Sequence, residues 1–139
     1  MQHQQQGFTL LELLVVLLIA SAMAAIAAPG FEQLLSRVRF TQQGNQLVSL
    51  LQQQALQARH SGQDRQLTIE ADQIRHNQLP LHQLPTGITL RWQPEQPGAA
   101  LIFFRDGSNS GGQLYLSQGA QQQLISLHWL TGEITLDAS

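Results

Sequence analysis

The feature that most constrains this chain is an apolar run near its amino terminus, from Phe8 to Ala28. Glu12 is the only charged residue in it. As an α-helix, the run would span about 31 Å, close to the thickness of the hydrocarbon core of a bilayer. Because the run is apolar all round, it predicts a membrane span rather than a buried core helix. A cleaved secretory signal is a remaining alternative, since the small residues of segment 20–28 offer cleavage sites.

The bulk composition limits the classes of function. The 139 residues suffice for one domain and a tail, and the formal net charge of −2 gives no large positive field. We therefore expect no nucleic-acid partner. Cysteine is absent, which removes thiol catalysis and cysteine metal sites.

Segment 31–59 continues as helix, because apolar residues recur in it at spacings of three and four. We expect Pro29 to kink the junction with the membrane segment and Gly44-Asn45 to interrupt and bend the helix. Ser61-Gly62 has the chemistry of a helix end.

Beyond the helix, the apolar pattern shortens to alternation between turn residues, which predicts an antiparallel β-sheet domain. The alternating or apolar positions are Leu67 and Ile69, then Ile74, then Ile88, Leu90 and Trp92, then 101–104, Leu114 and Leu116, Ile125, Leu127 and Trp129, and finally Ile134 and Leu136. Segment 78–85 is interpreted as a loop. The predicted fold class is α+β, a long amino-terminal helix packed on a small antiparallel β-sheet domain.

The sequence Gly7-Phe8-Thr9-Leu10-Leu11-Glu12, followed by the apolar run, resembles a type IV prepilin signal. That family contains the pilins and the pseudopilins of type II secretion, and Pro29 stands where many pilins carry a helix-bending proline. The resemblance implies that a prepilin peptidase cuts between Gly7 and Phe8, and that the new amine of Phe8 is then methylated.

This resemblance suggests a physical role for Glu12. Cleavage would leave a positive amine on Phe8, and helices in a filament pack side by side with an axial stagger. Glu12 of one subunit could then pair with the Phe8 amine of its neighbour, offsetting much of the cost of placing either charge in apolar surroundings. The alternative is a carboxylate that lies at the membrane surface without an assembly role.

A second pattern narrows the family. Segments 103–108 (FFRDGS), 111–116 (GGQLYL) and 129–134 (WLTGEI) are similar to the GspH/FimT class of minor pseudopilins and minor pilins. The resemblance implies a pilin-like fold and a minor pseudopilin of the type II secretion system, a structural subunit of a short periplasmic filament. The implied partners are other major and minor pseudopilins, the prepilin peptidase and the inner-membrane secretion platform.

The same resemblance implies a domain order and a location. Residues 1–7 would be a leader, 8–29 the transmembrane and assembly helix, 30–61 its periplasmic continuation and 62–139 the β-rich domain. The chain would cross the bacterial inner membrane once. The leader has no Lys or Arg, and Arg37 and Arg39 follow the membrane segment. Charge bias alone would therefore place the carboxyl-terminal side in the cytoplasm, whereas the motif implies a cytoplasmic leader and a periplasmic β domain. We follow the motif, because it is the more specific signal.

Other candidate sites are weaker. The histidines at 60, 76, 82 and 128 have no metal-ligand spacing, and the loop from Asp106 lacks the spacing and the closing Glu of a calcium loop. We expect no catalytic residue, metal or cofactor. Two alternatives to the secretion role remain. One is a minor pilin that primes a type IV pilus or aids DNA uptake, which dispersed arginines disfavour; the other is an enzyme or binding module on a plain membrane anchor.

Overall fold

The computed structural model describes residues 8–138, which form one long helix followed by eight strands. The described chain divides into two compact units, one that ends at Arg37 and a second that begins at Val38. The first unit contains the start of the helix, and the second contains the rest of the helix together with all the strands.

The helix α1, Leu10–Ser61, is continuous in the structure. The predicted interruption at Gly44-Asn45 is therefore wrong, because Gly44 packs inside the second unit instead of breaking the helix. The predicted helix end is confirmed, since α1 stops at Ser61 and Gly62 adopts φ +68°. A positive φ is the backbone conformation that terminates many helices and that glycine adopts without a steric cost.

In the first unit, the side chains of residues 10–27 are all exposed, which suits a segment that meets an apolar solvent. Its apolar part has a mean hydropathy of 2.6, and α1 is the one helix in the described chain long and apolar enough to cross a membrane.

In the second unit, α1 buries a narrow stripe of side chains. The buried positions recur at alternating spacings of four and three, which places them on one face of a helix: Phe40, Gly44, Leu47, Leu51, Gln54 and Ala58. The apolar residues whose spacing predicted this helix include Leu47, Leu51 and Ala58. The pattern missed Phe40 as well as the polar and glycine positions. The polar and glycine positions carry no apolar signal, and only contact with the sheets shows why they are buried.

Two four-stranded antiparallel sheets supply the other side of the core. The first has the order β3-β2-β1-β5 and the second β4-β6-β7-β8. The strands are β1 Arg65–Ile69, β2 Gln73–His76, β3 Leu79–Gln83, β4 Thr89–Pro94, β5 Leu101–Phe103, β6 Gly112–Gln118, β7 Gln121–Leu127 and β8 Ile134–Ala138. Alternation along each strand sends one set of side chains towards the core, as the period-2 pattern predicted.

Segment 78–85 is not the predicted loop, because β3 lies within it. Asn77 and Gln78 both have positive φ, 50° and 67°, and make a two-residue hairpin of the type that joins tightly paired strands. β3 is an edge strand, where Pro80 removes no ladder hydrogen bond that the sheet requires. The proline concealed the strand from sequence reasoning.

Trp129 also differs from expectation. The alternation placed it at the end of a strand, but β7 ends at Leu127 and Trp129 lies in the following turn, 51% exposed. His128 N–H donates to the carbonyl of Glu133, and Gly132 N–H donates to the carbonyl of His128. These bonds close the turn and carry Trp129 out of the ladder.

Candidate processing and assembly site, and the carboxyl-terminal corner

The helix start is organised by Thr9. Its hydroxyl accepts a hydrogen bond from the backbone N–H of Glu12 at 3.2 Å, and its carbonyl accepts the first helical bond from Leu13. Thr9 is therefore the N-cap of α1, and Glu12 stands at the third helical position, the spacing of a capping box. The Thr-x-x-Glu spacing of this box is visible in the sequence of residues 9–12.

Phe8 lies outside the helix and is 80% exposed. Gly7, the other residue of the predicted cleavage site, lies outside the described residues. Glu12 is exposed in the first turn of α1, where a negative charge also interacts favourably with the positive end of the helix dipole. The geometry is compatible with the predicted roles, and those roles stay predictions.

The carboxyl-terminal pattern forms one corner in the structure. The loop 104–111 and the turn 128–133 lie against each other, so closely that a side chain on Gly132 would collide with the carbonyl oxygen of Gly107. Gly132 also adopts φ +72°, which an L side chain rarely tolerates. Two segments that are distant in the sequence thus meet because β6 and β7 pair Gly112 with Leu127 and bring their ends together.

Asn109 fastens this corner and was missed by sequence reasoning. It is 3% exposed; its amide nitrogen donates to the carbonyl of His128 at 3.2 Å, and its amide oxygen accepts from the N–H of Gly111 at 2.8 Å. A buried amide with both ends bonded holds two loops at a fixed separation. Nothing in the local sequence distinguishes Asn109 from an ordinary loop residue.

The Asp106 loop bonds to itself. The carboxylate accepts from the N–H of Ser108 at 2.9 Å and from its hydroxyl at 2.6 Å. These hydrogen bonds, chiefly the one from the hydroxyl, lower the pKa of Asp106 below its ordinary value. Such bonds from an aspartate to the residue two positions on are typical of turns.

The histidines are dispersed. In the part of the chain that the structure describes, no three His, Asp or Glu side chains come together as a metal-binding group. His76 bonds the carbonyl of Gln66, whereas His82 lies in a cleft beside α1 and its Nε2 atom is buried without a hydrogen-bond partner. Burial lowers the pKa of His82, since it penalises the charged form.

Comparisons with known proteins address the family directly. The family model described as the prokaryotic N-terminal methylation motif matches residues 2–28. A relative named "Type II secretion system protein H", from Xanthomonas campestris pv. campestris, is 26% identical over 141 residues, covering 96% of this chain and 83% of that protein. This chain is therefore similar to a type II secretion system protein H along nearly its whole length, and it carries the methylation motif near its start.

A solved structure has a similar fold. The minor pseudopilin EpsH from the Type 2 Secretion System of Vibrio cholerae matches with a TM-score of 0.58 at 15% identity, over 70% of this chain and 95% of that one. The predicted α+β pilin-like fold is thereby confirmed. Together with the methylation motif, the exposed apolar start of α1 fits a membrane-anchored protein with a soluble carboxyl-terminal domain.

Proposed function

We propose that this chain is a minor pseudopilin of the type II secretion system, a structural subunit of a short filament that drives proteins across the outer membrane. The observation that carries the proposal is the similarity to a type II secretion protein H along nearly the whole chain, together with the methylation motif at its start. The relatives are structural proteins, and we propose no catalytic activity for this one. The type IV pilus alternative is not favoured by these relatives.

The proposed location follows from the same evidence. Residues 8–29 cross the bacterial inner membrane once, residues 30–61 continue the helix in the periplasm, and residues 62–139 form the periplasmic β-rich domain. Residues 1–7 are the leader. The partners are other major and minor pseudopilins, the prepilin peptidase and the inner-membrane secretion platform.

The proposed processing begins at the bond between Gly7 and Phe8. Phe8 lies before the N-cap Thr9, so cleavage there removes no residue of α1. The new amine on Phe8, which is then methylated, places a positive charge close to the positive end of the helix dipole, where it is unfavourable. Glu12 of a neighbouring subunit offsets this charge and fixes the axial register of the filament.

Two measurements test this function. Mass spectrometry of the chain from its host cells should find a mature amino terminus at a methylated Phe8, and deletion of the gene should block secretion but leave pili intact. A mature chain that still begins at Met1 would contradict the processing, and intact secretion with lost pili would favour the pilus.

A paired substitution tests the assembly role. Glu12→Ala should retain cleavage and membrane insertion but lose incorporation into filaments, because the Phe8 amine loses its counter-charge. Glu32→Ala is the matched control, since Glu32 is also an exposed glutamate on α1. Equal incorporation of the two variants would exclude a role for the Glu12 charge.

A further inference from the structure

The outer face of the second sheet, turned away from the core, holds a groove that the proposed function does not use. Its cavity volume is about 460 Å³, within the range of roughly 300–1,000 Å³ typical of ligand clefts. The groove crosses all four strands of that sheet at one end. It is built entirely from residues of the second unit.

The floor of the groove is neutral and rich in hydrogen-bond acceptors. Gln93, Gln113, Ser126 and Thr135 are directly paired from strand to strand, so their side chains form one row across β4, β6, β7 and β8. Amide and hydroxyl oxygens can accept several hydrogen bonds from one donor-rich group.

The end of the groove is acidic. Glu95 and Glu133 both line it, and no Arg or Lys does. In the described structure neither carboxylate has an ion-pair or hydrogen-bond partner, since the ion pair of the second unit joins Arg75 to Glu70. Two exposed carboxylates without an ion-pair partner, beside a row of neutral amide and hydroxyl groups, are complementary to a cation with several N–H donors.

The position of Glu95 depends on Gly111. A Cβ atom on Gly111 would collide with the carboxylate of Glu95 and lie 3.0 Å from Cβ of Trp129. Gly111 also has φ +70° and is held by the Asn109 amide oxygen, which fixes the backbone beneath the carboxylate. The acidic end is thus supported by the same corner that the family pattern builds.

We propose that this acidic groove docks an arginine or lysine side chain on an extended segment of another protein subunit of the filament. The inference rests on the proposed function for the identity of the partner, while its chemistry rests on the groove alone. Arginine suits the site best, because its planar fork of five donors can bind a carboxylate and the neutral row together.

Cross-linking in the host cells tests the occupant. The full-length chain carries a benzophenone amino acid in place of Thr135, inside the groove, or in place of Gln122, on the same face but outside it. We expect illumination to join the Thr135 variant to a protein segment that contains Arg or Lys, and the Gln122 variant not to reach that segment. An adduct on a glycan strand, an adduct on a segment without a basic residue, or no adduct would overturn the proposal.

Charge reversal tests the mechanism. Glu95→Arg with Glu133→Arg should lower the adduct yield at least about tenfold, and changing the cross-linked basic residue of the partner to Glu should restore it. Asp137→Arg is the control, because Asp137 is exposed on the same sheet but outside the groove. If the double variant is unstable to urea, Glu95→Gln with Glu133→Gln gives the same comparison. An adduct yield that is unchanged by these substitutions would overturn the proposal.

The outcome is separable from the proposed function. The same cells report whether the chain fractionates with secretion or pilus subunits. A charge-dependent adduct with a pilus subunit would support docking in the groove and reject the secretion role. A secretion defect without a charge-dependent adduct would support the secretion role and reject docking in the groove.

Discussion

At the scale of single residues, two buried polar side chains tie separate elements of this fold together. Gln54 accepts from the guanidinium of Arg65 at 2.9 Å and links α1 to β1, and Asn109 joins two loops. Such groups are costly to bury alone and specific once paired. They set the positions of elements that apolar contacts would allow to slide.

Asn109 offers a direct test of this view. Asn109→Ala should lower the free energy of unfolding by about 1–3 kcal/mol, because the buried Gly111 N–H loses its partner and the His128 carbonyl keeps only the bond from the Gly132 N–H. Urea denaturation of the full chain in detergent measures the change. Gln122→Ala, an exposed control, should change it by less than about 0.5 kcal/mol; equal effects of the two substitutions would contradict the role of Asn109.

His82 should make stability depend on pH. Its folded-state pKa is lowered, so the unfolded chain takes up a proton as the pH falls through the ordinary value of 6.5, before the folded chain does. Stability is therefore complete above that value and is lost as the pH falls below it. Urea midpoints between neutral pH and about pH 5 should fall less steeply in His82→Gln than in the unaltered chain, and parallel curves would rule out this contribution.

At the scale of elements, the alternation of apolar residues predicted the half-buried strands well, but it predicted the edge strand and the turns poorly. β1, β6 and β7 follow the predicted alternation, since one face of each packs on the core. The sequence pattern missed β3 because this edge strand contains a proline. It also placed Trp129 in a strand, because the alternation of apolar residues continues past the end of β7. Sequence patterns report burial, and they report hydrogen bonding only indirectly.

The contact of α1 with the second sheet depends on Gly44. A Cβ atom there would collide with the side-chain oxygen of Gln123 and lie 3.3 Å from Cδ1 of Leu136. Alanine normally stabilises a helix interior by up to about 1 kcal/mol relative to glycine. Here we expect Gly44→Ala to destabilise the chain by about 1–3 kcal/mol, since Gln123 is 3% exposed and cannot easily move.

Urea denaturation again gives the readout. Gly30→Ala is the matched control, because nothing lies within 4 Å of a Cβ atom at that helical glycine. The double variant Gly44→Ala with Gln123→Ala should recover much of the loss, as the colliding amide is absent. A Gly44→Ala chain as stable as the control would show that the helix can shift away from the sheet.

At the scale of the whole molecule, the chain relies little on charge. Charged residues make up 12% of it, and the second unit has one ion pair in the described structure, between Arg75 and Glu70 at 3.1 Å. That pair is surface-exposed, and such pairs contribute little to stability. Cohesion comes instead from apolar burial, to which hydrogen bonds such as that from Arg65 to Gln54 add.

Salt should therefore have little effect on folding. We expect the free energy of unfolding to change by less than about 1 kcal/mol between about 0.05 M and 0.5 M NaCl, because screening acts mainly on exposed charges. Binding at the acidic groove should weaken over the same range, since it depends on unpaired carboxylates. A stability that falls steeply with salt would show that charge pairs matter more than the structure indicates.

The sequence alone determined the membrane-type helix, the α+β class and the resemblance to type IV prepilins, since these follow from hydropathy, from the spacing of apolar residues and from a short local motif. The prediction for the processing site also comes from that motif, and the structure adds only the Thr9 cap. Tertiary structure decided the rest. Asn109, Gly44, Gly111 and the acidic groove depend on segments that are distant in the sequence, and strand pairing brings those segments within hydrogen-bond and van der Waals range.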